Sequence, residues 1–136
     1  MRAIDGDSIS RGRVLVVEDN QYTASFISEE LSEHGYDVVG PASNIAQALL
    51  FARGAEIDAA LVDLDLHGVL ANDVFKILSE RKIPFVFVTA HRTLPVGMRY
   101  TAPTIEKPFT YRALLTALEG ILRVQSAIIP RNPAVR

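Results

Sequence analysis

The sequence predicts an α/β fold, a single doubly wound domain whose five-stranded parallel sheet is covered by helices on both faces. Three observations carry this. Strand-like and helix-like segments alternate five times along the 136 residues. The strand-like segments are apolar at successive positions rather than at alternate ones, as strands buried on both faces are. No internal repeat and no shift in composition divides the chain, and its length suits one compact core. Right-handed crossovers between parallel strands then distribute the helices over the two faces.

The elements follow in order. "RVLVV", residues 13–17, is a β-branched run closed by the polar group Glu18, Asp19 and Asn20. From Tyr22 to His34, Tyr22, Phe26, Ile27 and Leu31 fall at helical spacing, and Gly35 stops the helix. "YDVVG" is a short second strand. Ser43 or Asn44 caps a second helix running through Ile45, Ala48, Leu49 and Ala52 to Gly54. "IDAALVDL" is the third strand, followed by a helix from about Leu70 to Arg81. "PFVFVTA" is the fourth strand and "PTIEK" the fifth. The last helix, Thr110 to Gln125, is amphipathic through Leu114, Leu115, Leu118, Ile121 and Leu122. Tyr22, Phe26, Phe51, Phe75 and Phe109 are expected in the core or between helices. Residues 1–11 and 126–136 read as flexible ends of a domain spanning 12–125, with Ile128 and Ile129 able to dock.

Composition narrows the function. Apolar residues make up 49% of the chain and the net charge is −2, so no basic surplus points to nucleic acid or to an anionic membrane. The short "RGR" at 11–13 is no nucleic-acid patch. With no cysteine there is no disulfide framework, thiolate nucleophile or thiolate zinc site. No apolar run is long enough to span a bilayer, and "MRAIDGDSIS" is no secretory signal. A cytoplasmic protein is expected.

Open parallel sheets bind ligands at the carboxyl ends of their strands. Here those ends carry Glu18 and Asp19 on the first strand, Asp63 with Asp65 on the third, Thr89 on the fourth, and Glu106, Lys107 and Pro108 on the fifth. Several carboxylates this close repel one another and call for a cation. An oxygen-only donor set favours Mg²⁺. A lysine and a threonine facing the same point suit a phosphoryl group, and an aspartate beside Mg²⁺ and lysine can act as a nucleophile toward phosphorus.

"VVED" at the first strand, "LVDLDLHG" at the third, "FVTA" at the fourth and "EKPF" at the fifth together resemble the receiver domain of two-component response regulators, over residues 13 to about 125. The resemblance implies a flavodoxin-like sheet of order 2-1-3-4-5. It implies that Asp63 accepts a phosphoryl group from a histidine kinase or a histidine phosphotransfer protein. It makes Asp19 a direct Mg²⁺ ligand, Glu18 a ligand through water, Asp63 a further ligand, and Asp65 a contributor through its backbone carbonyl. Thr89 would hydrogen-bond a phosphoryl oxygen, Lys107 would pair with the phosphoryl group, and the Lys107–Pro108 peptide bond would be cis. Such a protein catalyses only its own phosphorylation and dephosphorylation and is not an enzyme in the ordinary sense.

The chain departs from the family pattern in several places. His67 stands where the family usually has proline, which loosens the turn. Thr104 stands where an aromatic usually reports phosphorylation. Residues 90–106, which separate Thr89 from Lys107, include Pro95, Gly97 and Pro103, so the helix between the fourth and fifth strands should be one turn or missing. "FVTA" partly matches the Phe-Ala-Thr-Gly motif of stand-alone alphaproteobacterial receivers, a branch associated with kinases of the HWE class. Asp65 and His91 flank the expected path of an attacking water. The expectation is therefore a single-domain regulator, monomeric, that binds a partner or drains phosphate from a kinase. A degenerate receiver acting as a phosphorylation-independent binding module is the alternative. "DLDLHG" also resembles the Asp-x-Asp motif of haloacid dehalogenase-type phosphatases, but those need an acidic pair downstream, and after Asp65 the acids Asp73, Glu80, Glu106 and Glu119 are never adjacent.

Overall fold

The computed structural model describes residues 9–91 and 93–128. The expectations for residues 1–8 and 129–136 lie outside this range. Five strands, β1 (Arg13–Val17), β2 (Asp37–Ala42), β3 (Ala59–Asp63), β4 (Phe85–Thr89) and β5 (Thr104–Glu106), form one parallel sheet in the order β2-β1-β3-β4-β5. The helices are α1 (Gln21–Glu33), α2 (Ile45–Gly54), α3 (Asn72–Glu80) and α4 (Tyr111–Ile128). Fold, strand order and the reduced β4–β5 connection are as the sequence predicts: among the described residues no helix lies between β4 and β5.

Strand alternation sorts the core into two layers. Leu15, Val17, Ala60, Val62 and Phe87 face α2 and α3, where Phe75 and Leu78 meet them. Val14, Val16, Leu61, Val86 and Val88 face the other way, toward Ile27 and Leu31 of α1 and Leu114 and Leu118 of α4. Every residue of β3 is buried, which is why it reads as an unbroken apolar run up to Asp63. In place of a helix, Met98, Tyr100 and Ala102 of the β4–β5 connection pack against the first layer. The Tyr100 ring lies 5.9 Å from that of Phe75 and 6.4 Å from that of Phe85.

Local chemistry starts and stops these elements. Asn20 caps α1, its side-chain oxygen accepting from the N–H groups of Tyr22 and Thr23 at 2.9 and 3.0 Å. Of the two candidates for capping α2, Asn44 does so, accepting from Gln47 N at 2.9 Å, while the Gln47 side chain reaches back to Ser43 N at 2.8 Å. β2 continues past the expected Gly40 to Ala42, through a register shift on β1 and a cis Gly40–Pro41 bond. α3 starts at Asn72, not Leu70, because a Leu66–Val69 bridge holds the preceding turn.

Tyr22 is not a core residue. It is 79% exposed, because it sits nine residues before buried Leu31, about two and a half helical turns, and so faces away from the sheet. Phe75 is buried and Phe51 is partly buried against the first layer, whereas Phe26 is 37% exposed and packs on Phe109 with ring centroids 6.1 Å apart. Arg11, expected in a flexible segment, is held: its N–H donates to Gly35 O, its guanidinium pairs with Glu119 at 3.2 Å and lies over the Tyr36 ring.

Candidate functional site

The parallel register brings the carboxyl ends of β1, β3, β4 and β5 to one edge of the sheet. Val17 is level with Val62, Asp63 with Val88, and Thr89 with Glu106. The residue that ends or follows each of these strands therefore meets its counterparts. Asp63 ends β3, Thr89 ends β4, Glu18 and Asp19 follow β1, and Lys107 follows β5.

At the centre is Lys107. Its Nζ donates to Asp63 Oδ2 at 3.1 Å and to Glu18 Oε2 at 3.1 Å, and lies 3.0 Å from Glu18 Oε1. That last contact is an ion pair and not a directed hydrogen bond, so the fully buried Oε1 has charge nearby but no donor aimed at it. Glu18 Oε2 also accepts from Asn20 N at 3.0 Å, and Asp63 Oδ1 accepts from Asp65 N at 2.9 Å. Glu18, Asp63 and Thr89 are buried. One ammonium thus faces two buried carboxylates, and oxygens of Glu18, Asp19 and Asp63 lie within 4.8 Å of one another.

Burial is the main force on Glu18 and pushes its pKa up to about 7, with the charge of Asp63 adding to it. The Asn20 N–H and the Lys107 ammonium act in the opposite direction. For Lys107 burial works against the charged form, but hydrogen bonds and charge from Glu18 and Asp63 outweigh it and hold the ammonium above the ordinary lysine value. The surplus of negative charge, the undirected Oε1 and the oxygen-only donors fit a hard divalent cation such as Mg²⁺.

Thr89 reaches the site differently. Its carbonyl accepts from Lys107 N at 2.7 Å, while its hydroxyl accepts from His91 N at 3.0 Å. The Asp65 carboxylate stands outside the three-carboxylate group and accepts from Gly68 N at 3.3 Å. Asp65 and His91 line one shallow cleft with Leu64, Leu70, Leu94 and Val96. The Lys107–Pro108 bond is cis, as expected.

His67 does more than loosen a turn. Its backbone N–H donates to Asp19 Oδ2 at 3.1 Å, its ring Nδ1 is 3.5 Å from the same oxygen, and its φ is +53°. Proline has no N–H and cannot take that φ, so the departure at 67 adds a tether on a candidate metal ligand. The loss of proline was the signal in the sequence. The Asn20 N–H on Glu18 carried no such signal, because backbone donors leave no trace in residue type.

The sequence profile described as "Response regulator receiver domain" matches residues 14–119. The receiver domain of HemR from Leptospira biflexa, in its non-phosphorylated form, is 30% identical with a TM-score of 0.72, the match covering 90% of this chain and all of that one. The response regulator PhyR from Brucella abortus matches at 25% identity and a TM-score of 0.77, over 88% of this chain and 51% of PhyR. Among curated relatives, the DNA-binding response regulator MtrA of Mycolicibacterium smegmatis is 32% identical over 120 residues, 83% of this chain and 51% of MtrA. The probable transcriptional regulatory protein SilR of Salmonella typhimurium is 29% identical over 126 residues, 55% of its length. The chain spans about half the length of the curated relatives it matches.

Proposed function

This chain belongs to the response regulator receiver domain family, and on that premise we propose that it accepts a phosphoryl group on Asp63 from a histidine kinase or a histidine phosphotransfer protein. The observation that carries the reading is the Lys107 ammonium held between Asp63 and Glu18, whose carboxylates group with that of Asp19. An Asp63 carboxylate oxygen attacks phosphorus, the P–N bond of the donor phosphohistidine breaks, and the imidazole leaves with the bonding pair. Lys107 pairs with the phosphoryl oxygens, and the Thr89 hydroxyl donates to one of them. Glu18, Asp19, Asp63 and the Asp65 carbonyl would hold Mg²⁺, which when bound neutralises charge on the acceptor and the phosphoryl group.

The protein acts on itself alone and turns over no other substrate. The reading extends to a stand-alone, monomeric, cytoplasmic regulator of the alphaproteobacterial type served by an HWE kinase, supported by "FVTA" and the helix-less β4–β5 connection. No helix of the described residues is long and apolar enough to cross a membrane. Its output is partner binding or drainage of phosphate from the kinase, with no contact to nucleic acid.

The test is an amide NMR spectrum with Mg²⁺ before and after beryllofluoride, a mimic of the aspartyl phosphate. Large shifts at Asp63, Thr89 and Lys107, absent in Asp63→Asn, are expected. A folded protein that binds Mg²⁺ and shows no response is instead a phosphorylation-independent binding module.

A further inference from the structure

Among its described residues the β4–β5 connection has no helix to give it shape, yet it is not unsupported. Asn72, the first residue of α3, holds it with both ends of its carboxamide. Nδ2 donates to Gly97 O at 2.9 Å, and Oδ1 accepts from Arg99 N at 3.2 Å. Between these two points the backbone turns, Met98 N donating to Pro95 O at 3.2 Å with Gly97 at a φ of +95°. Gly97 also lies so close to α3's approach that a Cβ there would stand 3.1 Å from Leu70 Cδ1. Within and beyond the clamp, partly buried Met98, Tyr100 and Ala102 pack against the core. Before it, Leu94 is 40% exposed and Val96 is 99% exposed, beside the cleft that Asp65 and His91 share. At its start this stretch is also attached by the N–H of His91 on the Thr89 hydroxyl.

We propose that Asn72 is a positioning residue that sets the limit of the conformational response. It clamps residues 97–99 to α3, so that change starting at Thr89 reaches Leu94 and Val96 and stops there. The proposal rests on the phosphoacceptor reading of Asp63. A phosphoryl group that engages the Thr89 hydroxyl competes with the His91 N–H for it and loosens that attachment, whereas the Asn72 hydrogen bonds involve no group at the acceptor site. The two apolar side chains beside the cleft are then the part of the connection whose position reports on Asp63. Residues 97–103 keep their packing against the core, through Met98, Tyr100 and Ala102, in both states.

The experiment uses the full chain with Mg²⁺, comparing wild type, Asn72→Ala and Asn72→Asp by amide hydrogen exchange and by chemical shift with and without beryllofluoride. In the absence of beryllofluoride, the Arg99 amide exchanges about tenfold faster in Asn72→Ala, the loss of roughly one net hydrogen bond, while Val62 and Val88 stay as protected as in wild type. Asn72→Asp keeps the acceptor for Arg99 N and puts an acid in the first turn of α3, so it folds and retains Arg99 protection. With beryllofluoride, shifts in the connection stop before Gly97 in wild type and extend to residues 99–103 in Asn72→Ala. Equal Arg99 exchange in wild type and Asn72→Ala overturns the clamp. Shifts that extend past 97 in wild type, or that end at the same residue in both, overturn the limit. If wild type shows no beryllofluoride response at Asp63, Thr89 and Lys107, the phosphoacceptor reading fails and the limit fails with it, and the Arg99 comparison still judges the clamp.

Discussion

Glu18 is where burial and charge are most finely opposed. Its folded pKa of about 7 stands above its ordinary 4.5, so between those values the folded protein keeps a proton that the unfolded chain has released. Metal-free stability therefore falls as pH rises from 4.5 to about 7 and levels off above it. Urea unfolding in a chelator at pH 5, 6, 7 and 8 measures this, and Glu18→Gln should flatten the decline. A wild-type stability that is flat or rises over that range contradicts the assignment. Lys107 supplies the opposing charge. Lys107→Ala should cost the metal-free protein roughly 2–3 kcal/mol at pH 8, the worth of charged hydrogen bonds lost to two buried carboxylates. The same variant should still bind Mg²⁺ in a titration but lose the beryllofluoride shift at Thr89; wild-type shifts there would remove Lys107 from the proposed role.

Helix starts and one strand bend matter most among the elements. Asn20→Ala and Asn44→Ala each remove a side-chain cap and should cost about 1 kcal/mol by urea unfolding. Asn20→Ala keeps the backbone N–H on Glu18, so its Mg²⁺ affinity should follow wild type. Gly40 is less tolerant. Its φ is +99°, and an added Cβ would stand 2.8 Å from Ala42 N and 3.1 Å from Val16 O, both backbone. Gly40→Ala should therefore cost about 2–3 kcal/mol, and a change below 0.5 kcal/mol would show that β2 repacks freely there. The helical pattern of α1 was readable from Ile27 and Leu31, but Tyr22 misled because one aromatic at the first turn fits several faces of a short periodic run. The missing helix was readable too, from Pro95, Gly97 and Pro103. What replaced it was not: Asn72 is an ordinary polar residue until the chain brings Gly97 and Arg99 to it.

Across the whole molecule, the proposed acceptor site is assembled from four strand ends, so a ligand that spans them should tighten the entire fold. Mg²⁺ at a hundredfold excess over its Kd should raise the unfolding free energy by about 2.7 kcal/mol, seen as a higher thermal midpoint. Asp63→Asn should reduce that gain, and an unchanged midpoint in wild type with saturating Mg²⁺ would place the ion elsewhere. The sequence by itself determined the fold class, the strand order through its family resemblance, and the residues at the strand ends, because apolar periodicity and acid at the close of a buried run are written in residue type. Only the tertiary structure decided who partners whom. The N–H groups of His67 on Asp19 and of Asn20 on Glu18, and the Gly97 and Arg99 groups that Asn72 holds, are backbone groups that every residue but proline carries. Which of them meet is settled by register and loop path, and by which face of a helix the core has room to bury.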